Sequence, residues 1–156
     1  MGHLHKYFGI LCILLVTLFG CQKTPLYTPS MVASIDTLGF NAIGADHVYA
    51  TATSTTDIGT TLTITGATSI FTPGTTTAPV IDLSIPCVIG TYTINTDCSA
   101  IVYVAATGPV GTKATAGQII VTNIDNNRIE GTFSFNCAGG QKVTKGQFYC
   151  SLPTKN

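Results

Sequence analysis

From Met31 onward the chain alternates apolar and polar residues in short runs, each closed by Gly, Pro, Asn or Asp. Period-two alternation puts successive side chains on opposite faces of a strand. Met31 to Asp36 reads as a first strand, with a return near Phe40. His47 to Ser54 and Thr60 to Thr65 flank Asp57-Ile58-Gly59, a hairpin signal. In the second of these, Leu62 and Ile64 face one way and Thr61, Thr63 and Thr65 the other. Val80 to Cys87 resumes the pattern, with Ile81, Leu83, Ile85 and Cys87 on one face. Gly90 to Ile94 and Ala100 to Ala105 form the next pair, and Gly117 to Ile124 follows. Arg128 to Cys137 is the clearest strand. Ile129, Phe133, Phe135 and Cys137 share one face of it, and Arg128, Glu130, Thr132, Ser134 and Asn136 the other. Asp125-Asn126-Asn127 turns into this strand, and Gly139-Gly140 turns out of it toward Lys142 to Cys150. Beyond residue 30 no long segment repeats apolar residues at helical spacing. Eight or nine short strands predict an antiparallel β-sandwich, with a lipocalin-like β-barrel as the alternative.

Composition narrows what such a domain does. Of 156 residues 45% are hydrophobic, which supplies the core of one domain over residues 31–156. Only 9% are charged and the net charge is zero, against about 25% charged in an average soluble domain. No basic patch exists to neutralise phosphates, so nucleic acid is excluded as a partner. About one residue in six is Thr, a β-branched residue that favours strands. Hydroxyls and amides, rather than charges, keep this surface in water.

Four cysteines fall in the β region: Cys87, Cys98, Cys137 and Cys150. An even number in an exported chain predicts two disulfides. No close pair of the C-x₂₋₄-C kind exists to hold zinc, and no metal is expected. If each strand reverses the one before it, Cys87 and Cys137 fall at one end of the sheet and Cys98 and Cys150 at the other. The expected bridges are therefore Cys87–Cys137 and Cys98–Cys150. Cys137 with Cys150 would have to span a whole hairpin, beyond the roughly 7 Å limit between Cα atoms.

The N-terminus carries a separate signal. Tyr7 to Phe19 is apolar and Lys6 precedes it. The run is too short to span a bilayer, which takes about 20 residues, but it suits the h-region of a signal peptide. Leu18-Phe19-Gly20-Cys21 resembles the bacterial lipobox. That resemblance implies cleavage before Cys21 and a diacylglycerol thioether on its sulfur. Residues 1–20 are then the signal peptide and residues 21–30 the lipidated Cys and its tether. Pro25 and Pro29 keep the tether from forming helix. Gln22 follows the Cys where Asp would mark inner-membrane retention, so the resemblance implies the outer membrane, on either face.

A wider resemblance rests on Gly59-Thr60-Thr61-Leu62-Thr63-Ile64-Thr65-Gly66, on Gly90-Thr91-Tyr92-Thr93 and on Ile119 to Phe148. The last stretch contains Ile129-x-Gly131-Thr132-Phe133-x-Phe135 and Val143-Thr144-x-Gly146-x-Phe148. With these, the chain resembles a group of small exported Bacteroidota lipoproteins of unknown function. The resemblance implies a fold and a compartment, and no activity. The four cysteines depart from that pattern.

Few residues offer chemistry. His47 follows Asp46, but neighbours in a strand point to opposite faces, which spoils a base and its orienter. No Gly-x-Ser-x-Gly elbow supplies a nucleophile. Glu130, the sole Glu, could pair with Asp125 or Asp82 as a glycosidase dyad only across a cleft of about 5–9.5 Å, and its strand position argues against that. Asp125-Asn126-Asn127 offers oxygens to Ca²⁺ but too few for a full site, and turn chemistry accounts for it. Tyr27, Tyr49, Tyr92, Tyr103 and Tyr149 could form a stacking surface for sugars. Asp36-Thr37-Leu38 resembles the short O-glycosylation signal of Bacteroidota, with Thr37 as acceptor. The residues together predict a non-catalytic envelope lipoprotein with no cofactor beyond the lipid on Cys21, presenting a β surface to an unknown envelope or extracellular partner. A barrel binding a small apolar molecule is the alternative.

Overall fold

The computed structural model describes residues 27–55, 59–68, 78–104, 111–125 and 127–153. The expected signal peptide, Cys21 and most of the tether lie outside the described residues. Ten strands follow one another: β1 (Ser30–Ile35), β2 (Leu38–Ile43), β3 (Val48–Thr55), β4 (Gly59–Ala67), β5 (Val80–Pro86), β6 (Gly90–Thr93), β7 (Ser99–Tyr103), β8 (Thr112–Asp125), β9 (Arg128–Cys137) and β10 (Lys142–Ser151). All pairings between them are antiparallel, in the order β2-β1-β10-β9-β8-β7-β5-β4-β3, with β6 paired to β8. Strand existence and alternation thus match the sequence pattern closely, and β9 begins and ends where the alternation does.

Three pairs of consecutive strands are not hairpins: β2 and β3, β5 and β6, and β6 and β7. β2 runs into β3 through a tight corner: the N–H groups of His47 and Val48 donate to the Gly44 carbonyl at 3.0 and 2.8 Å, and Gly44 N–H donates to Pro29 O. Gly44 has φ +105°, which a side chain would resist. β2 pairs with β1 while β3 pairs with β4, so this bent strand brings the sheet nearly back on itself. β6 and β7 are likewise end to end, because both lie antiparallel to β8, at Gly90↔Val121 and at Ile101↔Lys113. The expected reversal between Gly90–Ile94 and Ala100–Ala105 does not occur. The result is a nearly closed, flattened barrel. Its two faces pack on each other as in a sandwich, and the long β8 belongs to both.

The interior is filled by side chains. Met31, Leu62, Ile64, Ile81, Leu83, Ile85, Ile119, Ile129 and Val143 are all fully buried in one cluster. The largest groups fit because three glycines face them. A Cβ on Gly66 would lie 2.6 Å from Met31 Sδ, and one on Gly131 would lie 2.6 Å from the Phe148 ring. A Cβ on Gly146 would strike the Phe133 ring. Phe133 in turn stands 5.9 Å from Phe135 and 6.4 Å from Phe148, centroid to centroid, within the range of favourable ring pairs. The barrel axis is therefore a stack of Phe and Met rather than a cavity, and the apolar-ligand alternative finds no interior volume among the described residues.

This packing predicts the cost of a methyl group. Gly66→Ala and Gly131→Ala should each destabilise the fold by about 1–3 kcal/mol through overpacking. Gly39→Ala, where a Cβ meets nothing within 4 Å, should stay within about 0.5 kcal/mol of the parent. Urea denaturation of the three variants measures this directly.

Candidate functional site

The break between β6 and β7 opens a groove of about 760 Å³, larger than the two depressions described below. Its floor and walls come from Thr61 on β4, Ser84 and Pro86 on β5, Thr91 and Tyr92 on β6, and the Asn95–Ser99 segment. On β8, three residues separate Gln118 from Ala114. The opposing chain uses six between Thr93 and Ala100, and the excess is thrown outward as a loop. Asn95 takes φ +68°, a conformation that Asn tolerates better than most residues. Its side-chain N–H donates to Thr115 O at 2.9 Å. Asp97 Oδ2 accepts from Thr93 N–H at 3.0 Å, and Asn95 N–H donates to Cys98 O at 2.9 Å. The loop is thus fixed by its own polar side chains. The groove it borders is lined by hydroxyls, one amide, one carboxylate and the half-buried Tyr92 ring, whose hydroxyl donates to Val88 O at 2.7 Å.

A second, shallower surface covers the outer face of β1, β10, β9 and β8. It forms two adjoining depressions of about 270 and 220 Å³ that share Thr132 and Gln147. Gln118, Ile120, Ser134 and Lys145 line the first, and Ser30, Val32, Thr122, Glu130 and Tyr149 the second. At its lower end Arg128 pairs with Asp125. The Arg128 guanidinium lies 4.9 Å over the Tyr27 ring and 6.0 Å from that of Tyr149, with the two rings 5.3 Å apart.

The residues considered for catalysis do not converge. His47 Nδ1 lies 3.1 Å from Ala67 O, and its neighbour Asp46 is exposed on the β2–β3 corner. Glu130 is on the outer face of β9. Asp125 is engaged by Arg128 and by Asn127 N–H at 3.1 Å, which is turn chemistry. Asp82 lies on the outer face of β5 and accepts from Thr65 Oγ1 at 2.6 Å. Burial pushes its carboxyl above the usual range, and the Thr65 hydrogen bond offsets this in part. Among the described residues no group of three His, Cys, Asp or Glu could hold a metal ion. Thr37 sits on the exposed β1–β2 turn, beside Asp36, whose Oδ1 accepts from Lys142 N–H at 2.8 Å. Of the five tyrosines, only Tyr27 and Tyr149 stack on each other.

The expected disulfides need correction. Cys87, Cys98, Cys137 and Cys150 are all free thiols. Because β6 and β7 run in the same direction, every strand after them is reversed relative to the expected meander. Cys87 then follows the lower end of β5 while Cys137 ends β9 at the top. Cys98, just before β7, and Cys150, on β10, lie three strand spacings apart along the sheet, and no bond joins them. Three of the thiols are buried. Burial pushes Cys150 up to about 12 and Cys98 up to about 11, which suppresses thiolate reactivity. The alternation placed Cys137 and Cys150 on their strands, put Cys87 inside a strand that ends one residue earlier at Pro86, and could not show that β6 and β7 are collinear.

The family model for the domain of unknown function DUF6252 matches residues 28–150. The chain belongs to this family. The match opens just before β1 and closes near the end of β10, so the DUF6252 unit is the whole barrel, both grooves included. No curated protein and no solved structure matches the chain.

Two outcomes follow from the titrating groups. The folded-state pKa of Asp82 is raised, so the folded protein holds its proton more tightly than the unfolded chain. Its contribution to stability is complete below the ordinary aspartate value and is lost as pH rises through the raised one. Asp82→Asn should therefore be neutral or stabilising at pH 7 and should flatten that part of the stability–pH curve, measured by denaturation between pH 3 and 7. Iodoacetamide on the native protein at pH 8 should modify half-exposed Cys87 first, and Cys150 only on unfolding, by mass spectrometry of quenched samples.

Proposed function

We propose that the protein is a lipid-anchored, non-catalytic binding module of the bacterial cell envelope, tethered through Cys21 and displaying the Tyr92–Asp97 groove to a partner. One observation carries this reading. The barrel interior is filled, while the groove at the β6/β7 break is concave, held by its own side-chain hydrogen bonds and lined mainly by uncharged hydrogen-bonding groups, with Asp97 its one carboxylate. Such a lining favours a ligand with many hydroxyl or amide groups and little charge, a glycan or an extended peptide backbone, because each buried partner must be matched by a donor or acceptor. Tyr92 adds an apolar face of the kind that stacks on a sugar ring. The absence of a convergent acid, base and nucleophile among the described residues supports binding over turnover.

The lipobox resemblance of Leu18-Phe19-Gly20-Cys21 and Gln22 after it support the anchor and its outer-membrane address. The leading expectation is thus a surface or periplasmic lipoprotein of the kind found in Bacteroidota, with no cofactor beyond its lipid.

Two variants test the two halves. Cys21→Ser should move the chain from the membrane fraction to the soluble or inner-membrane fraction; unchanged fractionation refutes the anchor. A photoreactive residue in place of Thr96, at the groove, should give a discrete crosslinked adduct in intact cells, whereas the same residue in place of Lys142, on β10 and separated from the groove by β8 and β9, should not. Equal adducts from both positions, or none from position 96, refute the groove.

A further inference from the structure

The apolar residues exposed on this barrel are not spread evenly. Val88 and Ile89 are 62% and 58% exposed and adjacent in the chain, and Tyr27 is 55% exposed. All three gather at one end. Gly90 pairs with Val121, so Ile89 flanks β8 a few residues before the Asp125–Arg128 turn. Arg128 pairs with Ser151, and Ser30 with Tyr149. Tyr27 then packs beside Tyr149 and under Arg128. The segment that joins the N-terminus to β1 therefore leaves the barrel at the rim that carries Val88 and Ile89. The opposite rim carries Asp36, Lys113 and Lys142, with Leu38 exposed among them and Tyr49 on the strand row that ends at Lys113, while exposed Ile43 pairs with Ser30 at the lower end.

We infer that this lower rim is a membrane-contact surface whose occupant is the phospholipid headgroup layer, with Val88 and Ile89 entering the boundary between headgroups and acyl chains. The inference rests on the lipid anchor proposed above. From Cys21 to Tyr27 is six residues, which span at most about 20 Å, so a lipid on Cys21 keeps the rim beside the bilayer. The rim suits that position chemically. Two aliphatic side chains sit in the loop between β5 and β6. Tyr27 and Tyr149 have the amphipathic character that favours the interface. Arg128 has the planar donors that recognise phosphate. Its charge is balanced by Asp125, so attachment depends on apolar contact more than on anionic lipid. The two acyl chains of a diacylglycerol on Cys21 suffice for stable anchoring, and rim contact adds to it. Contact also sets orientation: the barrel stands on its lower rim, with Thr37 and Leu38 at the far end.

The full chain, extracted from cells with its N-terminal modification, is reconstituted into phosphatidylethanolamine/phosphatidylglycerol vesicles that contain a trace phospholipid with a diazirine in its upper acyl chain. After irradiation, adducts on the Cys87–Tyr92 segment and on Tyr27 should exceed those on Thr37–Phe40 severalfold. Changing Val88→Ser and Ile89→Ser together, on a loop where neither is buried, should lower the adducts on that segment severalfold and leave the far-UV spectrum unchanged. Equal labelling of both rims, or label confined to the N-terminal peptide, overturns the inference. The same digest reads the mass of the Cys21 peptide. A lipidated Cys21 with an unlabelled rim refutes the rim contact alone, whereas an unmodified Cys21 refutes the anchor and the rim contact with it.

Discussion

The barrel depends on glycines that admit large side chains to its axis. Met31 comes from β1, Phe133 and Phe135 from β9, and Phe148 from β10. Gly66, Gly146 and Gly131 leave the space in which Met31, Phe133 and Phe148 lie. A barrel of this size is just wide enough for its interior to be filled by side chains, and alternating large and small residues across the axis achieves that here. Burial is accordingly complete for most inward positions. The same packing fixes register, because a one-residue slip would carry each ring to the solvent face.

A filled interior moves any recognition to the outside, where two irregularities shape the surface. The strand formed by β2 and β3 bends at Gly44 and brings the sheet nearly closed. The strand formed by β6 and β7 is interrupted, and its surplus residues become the Asn95–Cys98 loop. Both breaks are stabilised locally, by carbonyl bonds around Gly44 and by the side chains of Asn95 and Asp97. Sheets that must curve tightly commonly place such irregularities at corners and beside binding sites. In this protein the second break generates the Tyr92–Asp97 groove.

The scarcity of charge is consistent with this surface. Outward positions of β4, β5, β8 and β9 are filled mainly by Thr, Ser, Asn and Gln. The charges that remain are few, and half of those described are engaged: Asp97 and Asp36 cap turns, Asp125 holds Arg128, and Asp82 is bound by Thr65. A surface with so few charges exerts little long-range electrostatic steering.

The sequence by itself determined the strands, their inward faces and the all-β class, because period-two alternation is a local property. Ile129, Phe133, Phe135 and Cys137 are buried as that alternation required, and Arg128 to Cys137 is β9 to the residue. It also carries an N-terminal apolar run and, in Leu18-Phe19-Gly20-Cys21, a resemblance to a lipobox. Tertiary structure alone decided which strands reverse. A Gly-Thr-Tyr-Thr run followed by Asn-Thr-Asp reads as a hairpin, yet β6 and β7 both hydrogen-bond to β8, whose length permits the pair to lie end to end along it. That pairing is non-local, and loop residues do not encode it. From it follow the separation of Cys98 from Cys150 and the Tyr92–Asp97 groove. The meeting of Tyr27, Arg128 and Tyr149 depends instead on closure between β1 and β10, which joins the two ends of the domain and which no local pattern announces.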